Sequence, residues 1–164
     1  MVECNTLEVE AALRGTVLEW AFKTDLPVDT IIMVSCLRYY EDFNGWHFQW
    51  PIFEDRVLCQ PITDKLTGAQ GKIDLVPSEA EAIQRMLKNG GNDWRGIRSI
   101  VDDALHLRCH LVPYQRKRLA DFGENNRNLS GREVYRSGER LFVTKELSLR
   151  FPSNEYQRTT RRRS

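Results

Sequence analysis

The sequence predicts a mainly β protein, an antiparallel sandwich or barrel with one or two short helices inserted near residues 78–103. Three observations predict it. Apolar and polar residues alternate over much of the chain, as in TLEVEAAL and LHLRCHL, the period that sends successive side chains to opposite faces of a strand. Turn signals such as Asp25-Leu26-Pro27, Asn44-Gly45 and Ser137-Gly138 separate these runs,. Only residues 79–88 change to a clean helical period, so the regular helices that a parallel α/β sheet needs between its strands are missing,.

Taken in order, Leu7, Val9 and Ala11 fall on one side of a first strand, with Glu8 and Glu10 on the other. Gly15 marks a bend. Residues 17–23 continue extended, Leu18, Trp20 and Phe22 sharing a face. TIIMVSCLRYY (30–40) is too evenly apolar for a surface strand, which makes it the predicted centre of a sheet,. Asn44-Gly45 then predicts a hairpin into 46–53, where Trp46, Phe48, Trp50 and Ile52 alternate with His47, Gln49 and Pro51,. Pro51 lacks a ladder donor and so predicts an edge or a strand end. Residues 55–62 and 71–76 are shorter strand candidates, joined by a loop over 63–71.

Ser78 followed by Glu81 has the spacing of a capping box, and Ala82, Ile83, Met86 and Leu87 repeat helically until Asn89-Gly90-Gly91,. Residues 92–103 fit a second helix through Ile97, Ile100, Val101 and Ala104, which Gly96 weakens,. From Ala104 alternation returns, with Leu105, Leu107, Cys109 and Leu111 opposed to a polar strand face of His106, Arg108 and His110. A Gly/Asn-rich connection, DFGENNRNLSG, precedes strand candidates at 132–136 and 140–151. Residues 1–152 therefore read as one β domain, and 153–164, without periodicity or apolar content, as a mobile basic tail,.

Composition bounds the class. With 164 residues, 41% hydrophobic, the chain can bury a core without disulfides or metals,. The amino-terminal MVECNTLEVEAAL has neither the basic nor the apolar region of a signal peptide, and no run of eighteen apolar residues occurs, so the expectation is a cytoplasmic protein without a membrane span,. The four cysteines are scattered without a CxxC pair and are expected to be reduced and buried,. The net charge of +1 hides a polarity: residues 1–112 hold 11 Lys and Arg against 17 Asp and Glu, and residues 113–164 hold 13 against 6. Such asymmetry points to a charged partner or tail unless the two halves neutralise each other.

His106, Cys109 and His110 crowd three metal-ligand types into five positions. On a helix the two histidines would be neighbours and a good zinc pair. On a strand they stand about 13 Å apart, with Cys109 on the opposite face. The alternation favours the strand, so no metal and no cofactor is expected. His47 is the only other histidine, Ser35 and Ser148 lack a G-x-S-x-G context, and no P-loop, GxGxxG or HExxH is present,. The pairs Glu41-Asp42, Glu54-Asp55 and Asp102-Asp103 read as solvated surface, which leaves a carboxylate-dependent hydrolase as the third reading, and no catalytic residue is assigned. The basic cluster Arg116-Lys117-Arg118 beside Tyr114, with Arg161-Arg162-Arg163 near the carboxyl terminus, could contact phosphates,.

Two stretches add a resemblance. KTDLPVDTIIMVS (23–35) resembles a motif of bacterial immunoglobulin-like sandwich proteins of mostly unassigned function, and GENNRNLSGREV (123–134) is similar to a later Asn-rich linker in proteins of that kind. Asp25 stands where the pattern has Asn, and Val28-Asp29 where it has Asp-Gly. The resemblance covers about 25 of 164 residues and implies an immunoglobulin-like sandwich without catalytic residues. The leading expectation is a non-catalytic module that binds a protein partner through sheet edges, loops and its basic carboxyl-terminal part. The alternative is a nucleic-acid-binding protein using Arg116–Arg118 and Arg161–Arg163.

Overall fold

A computed structural model of the chain describes residues 1–42, 44–89, 97–101 and 103–151. Its strands are β1 (Val2–Glu3), β2 (Leu7–Arg14), β3 (Val17–Thr24), β4 (Ile31–Asp42), β5 (His47–Leu58), β6 (Gln60–Pro61) and β7 (Thr67–Asp74). Helix α1 (Leu75–Asn89) follows, then β8 (Ile97–Ile100) and β9 (Ala104–Leu111). The short helix α2 (Leu119–Phe122) lies between two 3-10 turns, and β10 (Leu129–Ser130), β11 (Tyr135–Ser137), β12 (Arg140–Phe142) and β13 (Thr144–Arg150) complete the order. Strand greatly exceeds helix, as the alternation predicts. One antiparallel sheet runs β2-β3-β7-β6, and the other runs β13-β9-β4-β5 with β8 also on β4. Two small pairings accompany them, the β11–β12 hairpin and the parallel β1–β10 pair.

Both sheets contribute to one apolar cluster. Leu18, Trp20, Phe22 and Ile73 come from the first sheet, and Ile32, Val34, Cys36, Ile52, Leu105, Leu107 and Cys109 from the second. The period-two pattern is the cause, because it gives each long strand a single apolar face to bury. β4 is the exception that its composition predicts: lying between β9 and β5, it buries Ser35 and Leu37 as well as Val34 and Cys36. Pro51 sits on the edge strand β5 beside a bulge, where Cys36 faces Phe53 and Leu37 faces Pro51. The residue skipped by this register, Ile52, is 1% exposed. The bulge thus keeps an apolar residue in the core next to a proline that cannot donate.

Several boundaries differ from the sequence reading because tertiary contacts override a local signal, and the strand predicted at 132–136 is confined to β11. β5 runs unbroken to Leu58, so Glu54-Asp55 lies within a strand rather than at a turn. An edge strand leaves both carboxylates room to reach water, and both are exposed. β7 starts at Thr67, inside the predicted loop, since Gly68 and Gly71 are packing glycines: a Cβ on Gly71 would lie 2.6 Å from Trp20 Cζ2. The indole occupies the space that any other side chain would need.

α1 begins at Leu75, directly after β7, which places Ser78 inside the helix rather than at a capping position. Pro77 falls in the first turn, where its missing N–H costs no helical bond. Leu75, Glu79, Ala82, Ile83 and Met86 form the buried face of α1. Residues 97–100, predicted as part of a second helix, form β8 instead, because the end of β4 offers an unpaired edge at Tyr40–Asp42; residues 90–96 lie outside the described set.

The Gly/Asn-rich connection is also built structure. The buried Gln115 side chain accepts from Ile31 N (2.6 Å) and donates to Ile31 O (2.9 Å), Asn126 Nδ2 donates to Val112 O (2.9 Å), and Phe122 is 0% exposed. The predicted strand 140–151 changes partner at the buried Val143, β12 pairing with β11 and β13 with β9. The tail predicted at 153–164, including Arg161, Arg162 and Arg163, lies outside the described residues. No described helix is long and apolar enough to cross a membrane.

All four cysteines are free and buried. Burial pushes the thiols of Cys36 and Cys109 up to about 12 and those of Cys4 and Cys59 up to about 11. A thiol is nucleophilic as its thiolate. Native protein at pH 8 is therefore expected to release thionitrobenzoate from Ellman's reagent far more slowly than protein in strong denaturant, which should yield four equivalents. Rapid reaction of even one native thiol would show that the core opens readily.

Candidate functional site

The polar face of β9 is the centre of the candidate site. Leu105, Leu107, Cys109 and Leu111 are buried beneath the strand, while His106, Arg108 and His110 are half-buried on its outer side. Cys109 therefore points away from both histidines. Among the described residues no group of three His, Cys, Asp or Glu side chains is placed to hold a metal ion.

β13 lies beside β9 in a register that pairs Thr144 with His110, Glu146 with Arg108 and Ser148 with His106. Arg108 donates from Nε to Glu146 Oε2 at 2.9 Å, and its Nη2 lies 2.9 Å from the same oxygen. His106 Nδ1 is 3.2 Å from Glu146 Oε1 and 3.2 Å from Ser148 Oγ. Tyr39 on β4 is edge-on to the imidazole at 5.4 Å between ring centroids. Burial and the neighbouring Arg108 charge lower the pKa of His110, which keeps that ring neutral near pH 7,.

Serine, histidine and glutamate thus meet, but not as a relay. A Ser–His–acid triad needs the acid on one ring nitrogen and the hydroxyl on the other. Here both contact Nδ1, while Nε2 is buried without a hydrogen-bond partner. The carboxylate can only accept, which puts the proton on Nδ1 and leaves no base facing Ser148. The arrangement is a fixed, charge-neutralised polar surface rather than an activated nucleophile.

The predicted basic cluster is dispersed in use. Tyr114 is 53% exposed and Arg116 is exposed, but Lys117 Nζ reaches Asp29 at 3.8 Å. Arg118 pairs with Asp121 at 3.1 Å and donates to Val28 O at 3.3 Å, helping to hold the 113–131 segment against the turn before β4. The cluster and the β9 face are not brought together by any of these contacts.

Three features escaped sequence reading. Arg38, Tyr40 and Glu79 form a buried polar group joining β4 to α1, for which the signal was one arginine in an otherwise apolar strand. Tyr135 and Phe142 stack across the β11–β12 hairpin at 5.5 Å with an interplanar angle of 19°. Trp46, assigned to a strand face, is 73% exposed at the tip of the β4–β5 hairpin. A concavity of about 460 Å³ lies on the outer face of the other sheet, lined by Glu10, Ala12, Glu19, Ala21, Gln70 and Lys72 among others. It is open and holds no histidine, cysteine or hydroxyl nucleophile. Comparison of the chain with protein-family models, with curated protein sequences and with solved structures gives no match.

Proposed function

We propose that this chain is a non-catalytic interaction module of immunoglobulin-like sandwich type, and that it recognises a protein partner through the tip of the β4–β5 hairpin. The shared core of the two sheets supports the sandwich reading, and four free, buried thiols support a cytoplasmic one,. One observation carries the binding surface: the 73% exposure of Trp46. Tryptophan is among the residues most enriched at the energetic centres of protein interfaces.

The tip is held in place before any partner arrives. One carboxylate oxygen of Asp42 accepts from Asn44 N at 2.8 Å and from Trp46 N at 3.0 Å, and Gly45 takes a positive φ of 82° in the turn. A preorganised tip loses little conformational entropy on docking. The failed Ser148–His106–Glu146 geometry favours this reading over a serine-dependent hydrolase.

The test compares the native chain with Trp46→Ala, and with Ile62→Ala as a control for another exposed apolar residue, in co-purification from source-cell extract treated with nuclease. A partner retained after nuclease by the native chain and the control is expected to bind Trp46→Ala at least about 30-fold more weakly, the effect of a residue contributing 2 kcal/mol or more. Equal capture by all three proteins would remove the hairpin tip from the interface.

A further inference from the structure

A second surface carries an independent inference. The chain passes through Val143 without a turn or bend, so β12 and β13 form one extended run. Leu141, Val143 and Leu149 pack on the core, which sends the alternate residues Arg140, Phe142, Thr144, Glu146, Ser148 and Arg150 outward. The ladder holds at the junction, where Leu111 N donates to Val143 O at 2.9 Å. This outward row continues the face bearing His106, Arg108 and His110, since Thr144, Glu146 and Ser148 are their register partners. From Arg140 to Arg150 the strip is about 33 Å long, ten steps of about 3.3 Å.

We propose that this strip binds single-stranded nucleic acid, with the Tyr135–Phe142 pair as a stacking platform and its arginines on the phosphates. Tyr135 is 48% exposed and is the register partner of Phe142, so the aromatic pair stands at the Arg140 end of the row. Tyr39, 36% exposed and edge-on to His106, supplies a second ring further along. Sequence-tolerant binding of single strands combines this alternation of exposed rings and cations along a track.

Charge complementarity selects the occupant. The outer side of this sheet carries Arg56, Arg108, Arg140 and Arg150 against Glu41, Glu54 and Glu146, Glu54 and Arg56 reaching it from β5 opposite Ser35 and Met33, and Glu41 standing on β4 in line with Tyr39. Glu139 lies in the hairpin turn beyond Arg140. Arg140 and Arg150 are exposed and have no carboxylate within ion-pair distance among the described residues. The outer side of the other sheet is the reverse, with Glu8, Glu10, Glu19 and Asp74 against Arg14, Lys23 and Lys72, two of those cations being held by Glu19. A duplex fits the strip less well, because its bases are already stacked and cannot use the rings. The sequence alone points nucleic acid to Arg116–Arg118, where two of the three cations have acidic partners, and to Arg161–Arg163, which lie outside the described residues.

Fluorescence anisotropy with labelled dT15, rU15 and a 15-base-pair duplex tests the strip, using the full chain between about 50 and 200 mM salt. Single strands are expected to bind more tightly than duplex, with a log–log salt slope of about −2 to −3 for three or four phosphates. Tyr135→Ala should weaken single-strand binding about tenfold. The Arg140→Glu/Arg150→Glu pair should weaken it further and flatten the slope. An Arg14→Glu/Lys23→Glu control on the other sheet and an Arg161→Gln/Arg162→Gln/Arg163→Gln variant should stay within twofold of the native chain. The proposal is overturned by duplex preference, by native-like binding of the strip variants, by loss confined to the Arg161–Arg163 variant, or by no binding below about 100 μM at the lowest salt. None of these outcomes bears on Trp46, whose protein interface is read in a separate measurement.

Discussion

Arg38→Ala is expected to destabilise the chain by about 3–5 kcal/mol, the loss seen when one partner of a buried ion pair is removed. Arg38 and Glu79 are both fully buried. Nη1 donates to Glu79 Oε2 at 3.1 Å, Nη2 donates to Phe151 O at 2.8 Å, and the guanidinium lies 5.0 Å from the Phe151 ring centroid. The Tyr40 hydroxyl donates to Glu79 Oε1 at 2.7 Å. One arginine therefore ties β4, α1 and the end of β13 together. Its removal strands a carboxylate without solvent or counter-charge, and it leaves the Phe151 carbonyl without this donor.

Urea unfolding measures the loss. The Arg38→Met/Glu79→Leu double variant should recover most of it, because an apolar pair of similar volume avoids the desolvation cost. A double variant as unstable as Arg38→Ala would show that the ion pair itself, rather than the orphaned charge, holds the three elements.

The same group predicts a pH dependence. Burial pushes the Glu79 carboxyl above its usual range, against the lowering effects of Arg38 and Tyr40. A carboxyl whose pKa is raised by folding binds its proton more tightly in the native state. Its contribution to stability is present below the unfolded-state pKa and is lost as pH rises through the native one. Relative to Glu79→Gln, the native chain should therefore lose stability as pH rises above the ordinary carboxylate range, and a pH-independent difference between the two would contradict the raised pKa. The penalty of Arg38→Ala should likewise shrink in acid, where Glu79 takes up a proton.

Phe122→Ala is expected to cost about 3–5 kcal/mol, as much as truncating an aromatic residue in a core strand. Phe122 closes α2, a four-residue helix in a segment whose composition reads as linker, yet it is 0% exposed and belongs to the common core. Its backbone carbonyl accepts from Asn128 N at 2.9 Å, which helps to fold the segment back under the ring. Chemical denaturation of Phe122→Ala against Phe22→Ala, a 1% exposed residue of β3, makes the comparison direct. A loss below about 1 kcal/mol would return residues 113–131 to the status of a connection.

The strands of this protein were legible wherever burial is one-sided. β2, β3 and β9 alternate because each has a single face in the core, and a period of two in the sequence is the direct record of that burial,. The central place of β4 was legible for the converse reason, since protein on both sides removes the need for polar alternation. The same logic split His106 and His110 from Cys109, so the geometry that denies them a common metal ion follows from local pattern alone.

Tertiary structure decided what depends on residues distant in the chain. Gly68 belongs to a strand because the Phe22 backbone of β3 lies directly against it, and Ile97–Ile100 is a strand because β4 leaves an edge free. Phe122 is core because the 113–131 segment folds back so that its ring joins the cluster shared by the two sheets. Arg38 can be buried only because Glu79, 41 residues away, turns its carboxylate toward it from another element. The Arg140–Arg150 strip exists only because β13 pairs with β9 and aligns two polar rows on one surface. Periodicity is a property of neighbours in sequence and is read there; pairing, counter-charge and close approach are properties of neighbours in space, and they appear only when the chain has folded.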